Sequence, residues 1–214
     1  MPDVGTTLGK KQKRGPPKMR TAIQRLVLVT LIAACANQAS AANWQVDLSH
    51  TNVGFSVSHL FTSVQGRFDD FDATIEFDPD EPHATVVKAT IRAASINTNH
   101  EKRDRHLRSA DFFDAEKYPT LVFESSKMKE WSGKKGKLSG NLTIHGVTRP
   151  VVFDVVYLGR GSDPWGNTRA GFRATLTIDR KDYGLNWNEV LETGGFLVGD
   201  EIEIRIDAEG ILEE

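Results

Sequence analysis

"NVGFSVSHLF", residues 52–61, puts Val53, Phe55, Val57 and His59 on one face of an extended chain and Asn52, Gly54, Ser56 and Ser58 on the other. Side chains leave a strand on alternate sides, so period two marks a strand with one buried face. The rhythm spreads from here along the chain. Phe71, Ala73, Ile75 and Phe77 alternate with Asp72, Thr74 and Glu76, and Ala89, Ile91 and Ala93 with Lys88, Thr90 and Arg92. Further rows are Leu138, Leu142 and Ile144; Val151, Phe153, Val155 and Tyr157; Ala170, Phe172, Ala174, Leu176 and Ile178; and Ile202, Ile204 and Ile206. Turn-forming clusters separate them, at "DPDEPH" (78–83), "SGKKG" (132–136), "HGVTRP" (145–150), "GRGSDPWGN" (159–167) and "GG" (194–195). About eight strands result.

Only "NTNHEKRDRHLRSADFFD", residues 97–114, breaks the alternation; it is charge-rich, and Asn97, Thr98 or Asn99 suits the cap of one short helix. The expected class is all-β, a barrel or sandwich with a helical insertion. Strands apolar on one side must close or stack, and closure also removes sticky edges. A barrel of about eight strands is either filled by its own side chains or just wide enough for one small ligand. The inward rows mix large residues with Ala73, Ala89, Ala93, Gly140, Ala170 and Ala174. Without the register, these volumes fit a tiled core and a tunnel equally well.

Residues 1–41 have another character. A basic run (Lys10, Lys11, Lys13, Arg14, Lys18, Arg20, Arg25) leads into "LVLVTLIAACA" and then "NQASAA". The apolar run is shorter than the roughly 20 residues that span a bilayer. Ala39 and Ala41 make an A-x-A cleavage site, so 1–41 reads as a secretory signal peptide and 42–214 as one mature domain, outside the cytoplasm. Met19 begins a complete signal by itself and is an alternative start. "IAAC", residues 32–35, competes as a lipoprotein signal anchored at Cys35, but one acyl chain is a modest anchor and the later site is preferred.

Cys35 is the only cysteine, so the mature chain has no thiol catalysis, disulfide or cysteine metal site. Removing 1–41 takes seven of the 27 basic residues and one of the 29 acidic ones, leaving a net charge of −8. Such a surface repels nucleic acid. The chain carries no G-x-S-x-G, Walker loop, H-E-x-x-H or G-x-G-x-x-G after a strand. Of the six histidines, His100 and His106 share the helical segment but lie six apart, on different faces, so no metal site is expected. His59 continues an apolar row: it is either a hydrogen-bonded residue at the barrel rim or a polar anchor for a ligand head. In "RDRHLRS", residues 103–109, the charges form a solvated helix face, or Arg103, Arg105 and Arg108 contact an anion.

Taken in order, "WQVDLSHTNVGFSVSHL", "VQGRFDDFDATIEFDP", "ASINTN", "RDRHLRSADFFD", "YPTLVFES", "LTIHGVTRPV", "DPWGNTRAGF", "IDRKDYGLNWN" and "GGFLVGDEIEI" resemble the YceI-like family of bacterial periplasmic proteins, over essentially all of residues 44–212. The resemblance implies an extended antiparallel, lipocalin-like barrel with a helix at one side. Its apolar interior would bind a polyisoprenoid chain, a quinone or prenyl phosphate type lipid, as a carrier or store and not as an enzyme. No cofactor beyond that lipid is implied. A homodimer and transient membrane contact for loading are expected. The candidate tunnel wall is then Val53, Phe55, Val57, His59, Phe77, Ile91, Phe123, Ile144, Phe172, Leu176 and Ile204, with His106, Arg108 and His145 as headgroup candidates. Two alternatives stand beside it: a stress-response or interaction protein with a filled barrel, and a histidine/carboxylate enzyme.

Overall fold

The alternating rows become strands in a computed structural model that describes residues 42–190 and 197–213, with Met1, Pro2, Gly5 and Gly9. The signal peptide, Cys35 and the 194–195 turn lie outside the described residues. The strands are β1 (Asn43–Val46), β2 (Asn52–His59), β3 (Thr62–Phe68), β4 (Phe71–Glu76), β5 (Val86–Arg92), β6 (Ile96–Asn97), β7 (Thr120–Ser132), β8 (Lys135–Ile144), β9 (Val147–Ser162), β10 (Thr168–Asp179) and β11 (Val198–Leu212). The helix α1 (Glu101–Arg108) follows β6.

All pairings are antiparallel within one sheet, and β1 meets β11 to close it. The long β11 serves two consecutive strands: its last residues, Gly210–Leu212, pair with β1, and Val198–Asp207 pair with β2. In the same way β4 lies on β1 and β3 on β2, while β5 lies on β4 and β6 on β3. The eleven strands therefore occupy eight positions around a closed barrel, three of them broken strands. The expected all-β barrel of about eight strands with one short helix is the fold observed.

Local chemistry sets the breaks. Between β1 and β2 the Asp47 carboxylate accepts from the Ser49 amide at 2.9 Å and its hydroxyl at 2.6 Å, turning the chain. Between β5 and β6 a 3₁₀ turn, Ala93–Ser95, is held by the Ser95 hydroxyl donating to the Arg92 carbonyl at 2.7 Å. The β8–β9 hairpin turns on His145 and Gly146 alone, with φ of 52° and 73°, the paired positive φ of a type I′ turn. The expected six-residue turn at 145–150 is thus too long: Val147–Pro150 already belongs to β9.

The helix cap also differs from expectation. His100 caps α1, its Nδ1 accepting from the Arg103 amide at 3.3 Å. Thr98 is taken by Asp104, whose carboxylate accepts from the Thr98 amide at 2.9 Å and hydroxyl at 2.5 Å. Asn97 accepts from the Asn99 amide instead.

Candidate functional site

The inward rows do not fill the barrel. They enclose a cavity of about 180 Å³ whose wall exposes only apolar surface. Register explains the space: Ala73 of β4 pairs directly with Ala89 of β5, and Ala174 stands across the barrel on β10 beside Val155 and Ile206. Small residues on facing walls leave room that the large ones do not reclaim. Cavities of about 150 Å³ with apolar walls take up apolar guests, and this one is of similar size.

At one end, Phe77 packs on Trp131 (5.5 Å between centroids), Tyr157 (5.0 Å) and Phe172 (5.3 Å), with Trp44 against Phe172 at 6.3 Å. The Trp44 indole donates to the Phe77 carbonyl at 3.0 Å. Toward the other end Phe68 sits between Phe55 and Phe113, 5.8 Å from each. Phe113 follows α1, which is fastened by its own arginines. Arg103 donates to the Thr98 hydroxyl and carbonyl, and Arg108 to the carbonyls of Ala94 (2.7 Å) and Ile96 (2.9 Å).

Of the residues assigned to the wall from sequence, Val53, Phe55, Phe77, Ile91, Phe123, Ile144, Phe172 and Ile204 line the cavity. Val57, His59 and Leu176 do not. They lie farther along the same inward rows, where β2, β10 and β11 run on past it: Val57 pairs with Val64 and Ile202, and His59 with Thr62 and Val198. The three headgroup candidates are apart from the cavity too. Arg108 is committed to backbone carbonyls. His106 meets Asp111 at 2.9 Å and stacks edge-on with Phe112 and Trp187. His145 occupies the β8–β9 turn with its ring against Tyr118 at 4.5 Å.

Leu176 instead lines a second feature, a groove with Arg149, Pro150, Val151, Thr177, Ile178, Asp179, Asp182 and Tyr183. The β9–β10 ladder runs from Ser162↔Thr168 to Asp154↔Thr175 and stops, although β9 continues on β8 and β10 continues on β11. A proline sits at Pro150, on this unpaired stretch, as prolines do on strand edges. Sequence reading missed Arg149 and Tyr183. Stepping the inward row of β9 back by two from Val151 reaches Arg149, which was assigned to a turn.

Asp47, His50 and Glu209 bring their ligand atoms within 4.8 Å of one another. A guanidinium already serves this acidic group: Arg169 reaches Asp47 at 2.6 Å, Glu209 at 2.5 Å and Asp163 at 2.7 Å. Hydrogen bonds from Ser49 and then Arg169 hold Asp47 far below the usual carboxylate range, and Arg169 does the same for Asp163. The cluster ties the β9–β10 turn to the β1–β2 break and β11.

The YceI-like domain matches residues 44–210 of the chain. A UPF0312 protein of Pseudomonas paraeruginosa is 41% identical over 181 residues, spanning 83% of this chain and 91% of that protein. Among solved structures, BcnA of Burkholderia cenocepacia superposes with a TM-score of 0.69 at 27% identity, covering 77% of this chain and 98% of its own. A polyisoprenoid binding domain from Saccharophagus degradans, implicated in plant cell wall breakdown, superposes with a TM-score of 0.57 at 16% identity, covering 81% of this chain and 99% of its own.

Proposed function

The chain belongs to the YceI-like family, and from that premise we propose that it holds one polyisoprenoid chain, of quinone or prenyl phosphate type, inside its barrel as a periplasmic carrier or store. The observation that carries this reading is a cavity within the barrel into which the wall exposes only apolar surface. The likeness to a domain described as polyisoprenoid-binding supports it. A wall without polar surface offers a bound molecule no general acid, base or nucleophile, which favours binding over catalysis.

Taking the five carbons of an isoprene unit out of water is worth roughly 3–4 kcal/mol. A prenyl chain starts in a bilayer, already out of water, so tunnel and membrane compete nearly evenly and packing, chain ordering and head contacts decide the balance. That suits loading and unloading. Leu60 and Phe61, 50% and 98% exposed, form an apolar pair at the β2–β3 turn and suit brief contact with a bilayer during loading. The acidic surface of the mature chain keeps that contact short.

The test is to secrete the protein into a bacterial periplasm, purify it without detergent and compare intact masses under native and denaturing conditions, with solvent extraction. A native-only increment that extracts as a prenylated lipid is the expected result. One mass in both conditions, unchanged after prenyl lipids are supplied, overturns the reading.

A further inference from the structure

The mature chain is acidic, but its lysines are not spread evenly. Residues 127–137, "KMKEWSGKKGK", hold five lysines and one glutamate, a net of +4 within a mature chain of −8, so the remainder carries −12. Register decides where these charges point. Met128, Leu138 and Phe153 are buried and stand opposite one another across β7, β8 and β9, so they face the barrel interior and their neighbours in sequence face out. The outer face of the β7–β8 hairpin therefore carries Lys127 opposite Ser139, Lys129 opposite Lys137, and Lys135 opposite Ser132, with Lys134 in the turn. Lys127, Lys129, Lys134 and Lys135 are exposed.

The stability of the barrel does not ask for this arrangement. Lys129 and Lys137 stand directly across the ladder, where like charges repel. Among the described residues only Asp154 on β9 forms an ion pair with any of the five, reaching Lys137 at 2.8 Å. Lys134 donates to the Leu158 carbonyl at 3.3 Å. Beside the lysines, the outer row of β9 presents Val152 and Leu158, 47% and 48% exposed.

A concentrated basic face flanked by exposed aliphatic side chains fits a surface that is anionic in its outer layer and apolar beneath. All five cations are lysines and none is arginine. A lysine is a point charge on a long flexible stem, suited to a fluid array of phosphates, whereas the fixed carboxylates of a folded partner suit the planar fork of arginine.

We propose that the outer face of the β7–β8 hairpin, with Val152 and Leu158 of β9, docks the protein on the anionic headgroups of a phospholipid bilayer. This surface is separate from whatever the barrel holds and from the apolar pair Leu60 and Phe61. Strand β11 begins opposite His59 and ends opposite Arg169, so the β2–β3 and β9–β10 turns lie at opposite ends of the barrel. The β7–β8 turn lies toward the β9–β10 end, since Lys135 pairs with Val156 and β9 runs on from there to Ser162. A contact through Leu60 and Phe61 is indifferent to lipid charge; docking through lysines is not.

The test floats the protein, secreted and purified as above, with vesicles of phosphatidylcholine alone or of equal parts phosphatidylcholine and phosphatidylglycerol. The expected result is binding to the mixed vesicles at low salt, loss of that binding as salt rises, and little binding to phosphatidylcholine. Lys129→Gln combined with Lys135→Gln should weaken binding roughly 25-fold, about 5-fold for each lysine. The double variant relieves the repulsion at Lys137, so it melts no lower than wild type, which also shows that it folds. Lys102→Gln combined with Lys117→Gln removes the same charge from α1 and the segment after it, and should change binding by less than about 2-fold. Equal weakening by the two double variants overturns the proposal in favour of net charge alone. Equal binding to both kinds of vesicle, insensitive to salt, overturns it in favour of an apolar contact elsewhere. No binding to mixed vesicles overturns it as well, and retention on polyglutamate in that case assigns the lysines to an acidic polypeptide. None of these outcomes bears on the lipid inside the barrel, which is read separately by native mass.

Discussion

Asp104 shows how a charged stretch can be misjudged at the level of single residues. In "RDRHLRS" it reads as a partner for a neighbouring arginine; in the folded chain it is buried and accepts from the amide and hydroxyl of Thr98. Arg103 and Arg108, candidate anion contacts by composition, spend their donors on Thr98 and on the carbonyls of Ala94 and Ile96. Period and charge could not reveal this, because which carbonyls are left unpaired depends on how β6 ends. Asp104→Ala leaves the buried Thr98 amide without a partner. It should cost about 1–3 kcal/mol, read as a lower urea midpoint with an unchanged denaturant slope. A midpoint equal to wild type would mean that the α1 anchor contributes nothing to stability.

For strands, the face of each residue was legible and the continuity of each strand was not. Period two correctly put Val53, Phe55, Ile204 and Phe172 inward, since alternation is fixed by the backbone. That β1 and β2, β4 and β3, and β5 and β6 share single positions around the barrel follows from β11 pairing with two strands in succession, which no local pattern carries. Pairing also gives Gly66 its meaning. It lies opposite Phe55, and a methyl there would stand 2.4 Å from Phe55 Cζ, 2.7 Å from Phe55 Cε1 and 2.9 Å from Thr98 Cγ2. The missing side chain lets an aromatic ring lie flat across β3 and form cavity wall. Gly66→Ala should therefore displace the Phe55 ring, cost about 1–3 kcal/mol as overpacking does, and weaken lipid binding at the same time. Thermal melts with and without ligand check both; loss of stability with ligand affinity intact would detach Phe55 from the site.

Over the whole barrel, charge and hollow space act as separate controls. Asp47, Asp69, Asp163, Asp200 and Asp207 are all held below the usual carboxylate range, chiefly by hydrogen bonds from Ser49, Asn97, Arg169, Lys181 and Arg205 respectively. Their folded values lie below the unfolded one, so their contribution is complete above about pH 4 and drains away as pH falls below it. The urea midpoint should fall steadily from about pH 4 downward, and Arg169→Met should flatten that slope; a midpoint indifferent to acid would remove these pairs from the stability account. The cavity poses a sharper question, because sequence could not decide between a filled and a hollow barrel. Residue volumes were visible, but the hollow depends on Ala73 pairing with Ala89 while Ala174 stands across from them, which is register and not composition. Ala174→Phe separates the two cases by sign. In a filled core the added ring overpacks and costs about 1–3 kcal/mol. In a cavity of about 180 Å³ it buries a ring without displacing neighbours, so the variant should melt at or above wild type, by up to about 1.5–3 kcal/mol of stability. The same ring takes the place of the tail, so the native-mass increment should vanish as the melting temperature holds or rises. A variant that is destabilised yet still carries lipid would put the ligand somewhere other than this barrel.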